Sequence, residues 1–425
     1  MLVYVINKHG EPLMPTKPPK ARILLKSKKA KIVSYNPFTI QLLYGSSGYK
    51  QKVDLGIDLG AKHIGVAIVS EDKVLDKGEI ELRQDVSENI TTKRQYRNSR
   101  RNRKTRYRKP RFLNRTSTKK EGWLPPSIQS RIDNTFFWID KFVSLLPNPN
   151  LHIEVGKFDM QKMENPNIEG KEYQEGDTFG FYNTRYYVLE RDHYTCQVCK
   201  KKGKILQTHH IVYKSLGGTD KASNLITVCT DCHTSENHKK GHILYDWCMK
   251  KKKMTNYKGS TFMNIIRRRI YSRYPNARIT YGSVTTPARI TLGLEKTHYN
   301  DAIAITGAKK IDSNTNDYFF IKQFRKKKRS LHEAIPRKGI KTKNTTAKRN
   351  KKNTKSSKGF YLNDLVEFGD KKGYISGFAG EHTCYVKNIN GEYITKEGKS
   401  YKNINLSECK LICHNNNWQF GRKAI

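Results

Sequence analysis

Residues 53–69, VDLGIDLGAKHIGVAIV, contain two apolar runs joined through Gly60. A third apolar run, residues 74–82, follows the polar turn at Asp72-Lys73. Short apolar runs bounded by glycines or polar turn residues are typical of strands joined by hairpins. The sequence therefore predicts three successive β-strands, with Asp58 near the end of the first.

Three further polar residues lie in apolar surroundings, as Asp58 does, but much later in the sequence. Glu154 ends a short apolar run, and His298 and Asp301 are three residues apart in a predicted helix, so they share one helix face. Acidic residues embedded in apolar runs are costly to bury unless a cation pairs with them. Asp54 has the same strand parity as Asp58, but the Leu55-Gly56 pair after it continues the apolar run and does not lead into a hairpin, so we do not select it.

The order of these residues resembles a RuvC-like nuclease, an RNase H-like fold split into three segments. The segments would be residues 53–92, 116–180 and 251–325. The resemblance implies that Asp58, Glu154, His298 and Asp301 are catalytic and together hold two magnesium ions for in-line phosphodiester cleavage. Each motif alone is ambiguous, because GIDLG also suits actin-like phosphate loops.

A cysteine-rich segment separates the second and third of these segments. Cys196 and Cys199 form one CxxC pair, and Cys229 and Cys232 form another. Two such pairs complete a tetrahedral zinc site with four thiolate ligands. The pairing indicates metal binding in a reducing compartment rather than disulfides. The sequence therefore predicts a structural zinc ion.

Between and after the cysteines lie His209-His210, Gly217-Gly218, Asn224 and His233. Together with the two CxxC pairs, this pattern resembles the HNH endonuclease family, which has a ββα-metal fold. The resemblance predicts an HNH domain over residues 181–250.

Adjacent strand residues face opposite sides, so His209 and His210 should have different roles. By resemblance, His209 and His233 hold one magnesium ion and His210 is the general base, for which an imidazole is suitable near neutral pH. Asn224 would hold the loop or the base. Some HNH enzymes place a further ligand four residues after the last histidine, where this chain has Asn237 followed by His238.

The chain is strongly basic. Among 425 residues, 82 are Lys or Arg and 38 are Asp or Glu, which gives a formal charge of +44. This excess predicts a nucleic-acid partner. No apolar stretch approaches the roughly 20 residues of a membrane span, so we expect a cytoplasmic protein with no membrane partner.

The basic residues are concentrated in two regions. Residues 93–115 are predicted to form an arginine-rich helix that binds nucleic-acid backbones. Residues 326–359 are predicted to form a basic linker or an RNA-binding arm. Residues 360–425 alternate apolar and polar residues between glycines and predict a small β-rich domain. The predicted contacts of the helix are Arg94, Arg97, Arg100, Arg101, Arg103, Lys104, Arg106 and Arg108.

These features together, with the N-terminal Pro12-Leu13-Met14-Pro15 element, resemble the IscB family of transposon-encoded, RNA-guided nucleases. The predicted fold is α/β and multidomain: a split RNase H-like (RuvC) fold with an inserted HNH domain, an arginine-rich bridge helix and a small β-rich C-terminal domain. Residues 1–52 would form the N-terminal PLMP domain, whose prolines exclude a helix over residues 12–19.

The resemblance also implies partners. These are an omega guide RNA and double-stranded DNA carrying a short target-adjacent motif, which residues 360–425 would read. The HNH site would cut the guide-paired strand and the RuvC site the displaced strand, in a monomeric ribonucleoprotein of a prokaryotic cytoplasm.

Two other classes compete with this interpretation. A guide-free homing or restriction-type HNH endonuclease, or a RuvC-like resolvase, would explain either site singly. A non-catalytic RNA-binding protein would explain the charge, but it would not require the acidic and histidine residues.

Overall fold

The computed structural model describes residues 2–45, 48–86, 88–91, 95, 122–157, 183–250, 258–324, 356–396, 398 and 400–425. All eight named basic residues of the predicted helix, and residues 326–355 of the predicted arm, lie outside these ranges. The chain divides into two compact units: Phe158–Thr261, and Met1–Lys157 together with Phe262–Ile425. The architecture is mixed α/β and multidomain, as predicted. No helix in the described ranges has the length and apolarity of a membrane span.

The N-terminal module is a four-stranded sheet with one helix. Its elements are β1 (Val3–Ile6), β2 (Pro12–Thr16), α1 (Pro18–Lys26), β3 (Ala30–Tyr35) and β4 (Phe38–Leu42), in sheet order β2-β1-β4-β3. As expected, no helix spans residues 12–19: β2 occupies residues 12–16, and α1 begins only at Pro18. Proline fits the first helical turn, where its missing N–H would have no intrahelical acceptor.

The three strands predicted from residues 53–82 are confirmed. They are β5 (Asp54–Leu59), β6 (His63–Ser70) and β7 (Lys73–Glu81), and each pairs antiparallel with the next. Helix α2 (Pro126–Leu145) follows and leads to β8 (Asn150–Glu154), which lies parallel to β5. This return by a crossover connection brings the end of β8 beside the end of β5.

The second unit contains α3 (Thr184–Arg191), then the antiparallel pair β9 (Leu206–His210) and β10 (Leu225–Cys229), and finally α4 (Ile243–Lys250). Its apolar core includes the buried residues Cys196, Val228, Cys229 and Leu244. Two strands followed by a helix match the expected ββα order. The unit, Phe158–Thr261, is longer than the predicted range of 181–250.

The chain then returns to the first unit. Helix α5 (Lys258–Arg273) packs its buried residues from Phe262 onward into the main core. It is followed by β11 (Arg278–Thr280), α6 (Gly282–Thr291), α7 (His298–Ile305) and β12 (Asp317–Gln323).

The C-terminal region forms a small β-domain and one further strand. The domain contains β13 (Ser356–Ser357), β14 (Phe360–Tyr361), β15 (Leu365–Phe368), β16 (Lys371–Phe378), β17 (Thr383–Lys387), β18 (Ile404–Asn405) and β19 (Lys410–Cys413). The last strand, β20 (Trp418–Ala424), pairs with β12 instead. The predicted 360–425 domain therefore needs correction: its final strand belongs to the main sheet.

The main sheet has the order β11-β8-β5-β6-β7-β12-β20, and helices cover both of its faces. Because strand side chains alternate, Val66 and Ile68 of β6 pack in the core with α2 and α5, while Ala67 and Val69 pack with Ala302 of α7. This three-layer arrangement places α7 directly on β5 and β6.

A buried ion network fastens β20 to the sheet. The Arg422 guanidinium lies 2.9 Å from Asp76 Oδ1 and 2.7 Å from Asp317 Oδ2. Asp76 is only 3% exposed, so its charge depends on this arginine. The pKa of Asp76 is nevertheless raised, because burial outweighs the attraction of Arg422.

Candidate catalytic and metal sites

Asp58 and Glu154 lie side by side at the carboxyl ends of two parallel strands. They are register partners on β5 and β8, so their side chains point to the same face of the sheet. Asp58 is buried and Glu154 is half-buried. Two carboxylates nearly a hundred residues apart in sequence thus meet at one edge.

Two glycines allow α7 to reach this edge. A Cβ added at Gly65 would lie 1.9 Å from the backbone oxygen of His298, and one at Gly56 would lie 2.0 Å from that of Ala302. Any side chain at either position would push the helix away. The close approach brings His298 Nδ1 to 2.5 Å from Asp58 Oδ2. The Thr297 hydroxyl caps this helix by accepting from the backbone N–H of Asn300.

Asp301 lies one turn further along α7 and is paired with a residue that the sequence analysis missed. Arg289 Nε of α6 lies 2.8 Å from Asp301 Oδ1, and both side chains are largely buried. No motif or spacing in the sequence marks Arg289, because the pair forms only when α6 folds back on α7.

The acidic groups are crowded. Burial raises the pKa of Glu154, a hydrogen bond with Thr285 opposes the rise, and the negative charges of Asp58 and Asp301 add to it. Burial and then Asp58 likewise raise the pKa of Asp301. The hydrogen bond to Asp58 raises the pKa of His298. The raised pKa values mean that the ionised carboxylates are destabilised at this site. A bound cation would therefore stabilise them.

The donor set of oxygens with one imidazole nitrogen suits magnesium. Within the described parts of the chain, compact groups of three or more ligand atoms occur at four cysteines and at three histidines, and the acidic cluster is not one of them. The expectation of two magnesium ions at the acidic cluster stays a prediction.

His63 and Glu79 lie beside His298, and no motif in the sequence marks either of them. The His63 ring is parallel to that of His298, with centroids 5.8 Å apart, and its Nδ1 lies 2.5 Å from Glu79 Oε1. The rejected Asp54 lies at the other end of β5, where its carboxylate bonds His152.

The four predicted zinc ligands converge. The Sγ atoms of Cys196, Cys199, Cys229 and Cys232 all lie within 4.8 Å of one another. Burial opposes ionisation of Cys196, but backbone N–H groups, including that of Cys229 at 3.2 Å, lower its pKa to about 6. Four sulfur atoms that converge in this way fit tetrahedral zinc.

His209 and His233 also converge, and His238 joins them. His209 Nδ1 lies 3.1 Å from His233 Nε2, and one ring nitrogen of each of the three histidines lies within 4.8 Å of the others. The residue four positions after His233, Asn237, instead donates its side-chain amide to the carbonyl of Cys232 at 2.8 Å. The short 3₁₀ turn Glu236–His238 directs the fifth residue, not the fourth, to the cluster.

Hydrogen bonds fix which nitrogens of this cluster are free. His233 Nδ1 donates to Gln207 Oε1 at 2.7 Å, and His238 Nδ1 donates to the carbonyl of Thr234 at 2.6 Å. The Nε2 atom of both rings therefore keeps its lone pair. Burial, with the neighbouring histidines, lowers the pKa of His209 to about 4, and its buried Nε2 has no partner among the described residues. Three converging ring nitrogens, among them those of His209 and His233, whose pKa values are lowered, fit a divalent cation.

His210 and Asn224 take different positions. His210 Nε2 donates to Asp220 Oδ1 at 2.7 Å, which leaves Nδ1 as the basic atom. Asn224 is fully buried and bonds the backbone of Val212 and Thr219, so it holds the loop and does not contact the proposed base. Of the two roles expected for Asn224, the structure shows the first.

Comparison with known proteins gives two family matches. Residues 3–176 match the family described as RRXRR protein, and residues 196–239 match the HNH endonuclease family, within the predicted 181–250 domain. No curated protein matches the chain. Among solved structures, the Type II-C Cas9 enzyme from Actinomyces naeslundii is similar at 12% identity and a TM-score of 0.23, over 61% of this chain and 60% of that one. The chain thus spans less than two thirds of that enzyme's length. It is similar to RRXRR proteins over residues 3–176 and to HNH endonucleases over residues 196–239.

Proposed function

We propose that this protein is an RNA-guided DNA endonuclease of the IscB type that cuts both strands of its target. The supporting observation is that one chain carries two separate candidate centres for phosphodiester cleavage. One is the acidic cluster of Asp58, Glu154, His298 and Asp301, and the other is the histidine cluster beside His210. A single-site nuclease would need only one of them.

In the acidic centre, Asp58, Glu154, His298 and Asp301 would hold two magnesium ions. Bound there, the ions would stabilise the attacking and leaving oxygens of the phosphodiester. The protein's own contribution is placement. Gly65 allows α7 to approach closely, His298 orients the Asp58 carboxylate, and Arg289 holds Asp301. This centre would cleave the displaced strand.

In the histidine centre, His209, His233 and His238 would hold one magnesium ion, which would polarise the scissile phosphate. His210 would remove a proton from the attacking water through Nδ1, since its Nε2 donates to Asp220. The resulting imidazolium would be stabilised by the Asp220 carboxylate. This centre would cleave the guide-paired strand.

Specificity would come from a base-pairing guide. A protein with a charge of +44 binds phosphates of any sequence, and backbone contacts do not read bases. An omega RNA that pairs with the target strand would recognise the base sequence instead. Lys387 and Lys402 lie over the Tyr393 ring at 4.4 and 4.5 Å, which gives the C-terminal β-domain a basic and aromatic surface suited to target-adjacent DNA.

The test is strand-specific cleavage by the ribonucleoprotein purified with its native locus. We expect Asp58→Ala and His210→Ala each to leave a nickase, with opposite strand choice, and the double variant to bind without cutting. Asp312→Ala and His9→Ala, at exposed positions that belong to neither cluster, are the matched controls and should cut both strands.

Sequencing the co-purified nucleic acid separates the remaining classes. A discrete structured RNA with a variable end supports guidance, whereas random fragments would favour a guide-free endonuclease. Double-strand cleavage by either single variant at the unmodified rate would refute the two-centre assignment.

A further inference from the structure

The ring of His298 lies against the hairpin that joins β5 to β6, and three residues of the hairpin approach it. Its Nδ1 lies 2.5 Å from Asp58 Oδ2. Its Cε1 faces the turn at Gly60, where an added Cβ would lie 3.4 Å away. Its face is parallel to the His63 ring, with an interplanar angle of 8° and centroids 5.8 Å apart. Parallel rings with centroids about 4.5–7 Å apart form a favourable offset stack.

His63 is held in this position by Glu79 of β7. Its Nδ1 lies 2.5 Å from Glu79 Oε1, and the two side chains are 31% and 19% exposed. A largely buried carboxylate is costly unless a partner of opposite charge or a hydrogen-bond donor contacts it. His63 provides this partner for Glu79, so the two side chains hold each other in place.

Strand register places these side chains on the face of the main sheet that α7 covers. Glu79 is the register partner of Gly65, and Gly65 is the register partner of Asp58. His63 and Gly65 are two residues apart on β6, so they share this face. Glu79 is thus two strands from Asp58, roughly 10 Å between backbones, and the backbone of His298 lies over the gap at Gly65. Glu79 therefore reaches the acidic cluster through the His63 and His298 rings and not directly.

The His298 ring needs such support. Its side chain is 42% exposed and belongs to the first residue of α7. Exposed side chains change rotamer within picoseconds to nanoseconds. The contact with Asp58 fixes one edge of the ring but leaves the ring free to pivot about that edge, whereas a parallel ring fixes its plane. Loss of the groups that orient a metal-binding histidine typically costs about 10–100-fold in metal affinity or activity.

We propose that His63 and Glu79 are positioning residues of the acidic centre: Glu79 fixes the His63 ring, and the His63 ring fixes the plane of the His298 ring. The effect on catalysis rests on the proposed function, since it concerns cleavage of the displaced strand. The effect on the His298 ring does not, because this contact exists in the protein alone. Two measurements therefore test the two parts separately.

The first measurement is NMR relaxation of the full-length protein, labelled with ¹³C at histidine Cε1, without nucleic acid or added metal. The His298 signal is assigned as the one that is lost in His298→Gln. We expect its order parameter to fall from about 0.85, as in rigid groups, to below about 0.6 in His63→Ala and in Glu79→Ala. His63→Phe, which keeps an aromatic face, should retain the rigid value. An order parameter that is unchanged in both alanine variants would overturn the proposal.

The second measurement is strand-specific cleavage by the ribonucleoprotein with magnesium. His63→Ala and Glu79→Ala should each lower displaced-strand cleavage about 10–100-fold and leave guide-paired strand cleavage unchanged. The double variant should be no slower than the slower single variant, because both changes remove the same ring contact. His63→Phe should cut the displaced strand within about threefold of the unmodified rate.

Glu81→Ala is the matched control. Glu81 lies two residues after Glu79 on β7 and is 17% exposed, but it pairs with Lys322 at 3.1 Å. Its variant should keep both the order parameter and the displaced-strand rate, and thermal unfolding verifies that each variant folds. A loss as large as that of Glu79→Ala would overturn the proposal, as would equal losses in His63→Phe and His63→Ala or equal losses on both strands. If the unmodified ribonucleoprotein does not cut the displaced strand, the proposed function fails, while the NMR measurement still decides how the His298 ring is held.

Discussion

Replacing Gly65 by alanine should disable the acidic centre without unfolding the protein. A Cβ at this position would lie 1.9 Å from the backbone oxygen of His298, whereas ordinary contacts begin near 3.4 Å. Helix α7 must therefore retreat by about 1.5 Å, and it carries His298 and Asp301 away from Asp58. A displacement of about 1 Å in a catalytic group is associated with a roughly 100-fold loss of rate.

The assay is cleavage of each strand of an end-labelled target duplex by the ribonucleoprotein. For Gly65→Ala we expect displaced-strand cleavage to fall by at least about 100-fold, which corresponds to about 2.7 kcal/mol of activation free energy. Cleavage of the guide-paired strand should be unchanged, since the histidine centre belongs to the other unit. Overpacking should also cost about 1–3 kcal/mol of stability.

Gly45→Ala is the matched control, because an added Cβ there meets no atom within 4 Å. It should cut both strands normally. Displaced-strand cleavage by folded Gly65→Ala within about threefold of the unmodified rate would refute the argument that helix placement governs this centre.

Three further outcomes are expected. Arg422→Met should destabilise the main sheet by about 3–5 kcal/mol in urea unfolding, because it leaves the buried Asp76 without its cation. His238→Ala should raise the magnesium concentration needed for guide-paired strand cleavage, whereas Asn237→Ala should not. The midpoint of zinc release in urea should fall as the pH drops from about 6.5 towards 4 in magnesium-free buffer. Over that window the unfolded chain binds a proton at His209 that the folded protein, with a pKa of about 4, does not.

Each of these outcomes has its own control. Lys410→Met, at an exposed lysine, should change stability by less than about 0.5 kcal/mol, and an equally small effect of Arg422→Met would contradict the buried network. Equal magnesium requirements for the His238 and Asn237 variants would show that His238 is not a magnesium ligand. The pH effect should shrink in His209→Asn, and an unchanged pH effect would assign it to other groups.

The sequence was sufficient for the elements whose patterns are local. The glycine-bounded apolar runs around Asp58 predicted three strands because each strand is read from its own neighbours. The two CxxC pairs predicted a four-sulfur group because paired spacing alone positions two ligands. RNA guidance, the cleavage of two strands, the magnesium ions and the catalytic roles of the site residues stay predictions, as does membership of the IscB family.

What the sequence could not predict depends on contacts between distant elements. The shift from Asn237 to His238 arises from one short 3₁₀ turn, which spacing rules do not encode. The pairing of Arg289 with Asp301 requires α6 to fold back on α7. The membership of β20 in the main sheet depends on its pairing with β12, nearly a hundred residues earlier.

Because β12 pairs with β20, the small β-domain is an insertion between two strands that are neighbours in the main sheet. Its entry and exit are held together, since the Phe324 N–H donates to the carbonyl of Asn417 at 3.0 Å. The domain also contacts the host strand β20, since the Tyr374 hydroxyl bonds the backbone carbonyl and N–H of Phe420, so a replacement module must keep that contact. Chimeras joined at positions 324 and 417 would test whether this domain sets a DNA preference, whereas trimming the chain after 413 would remove an edge strand from the main sheet.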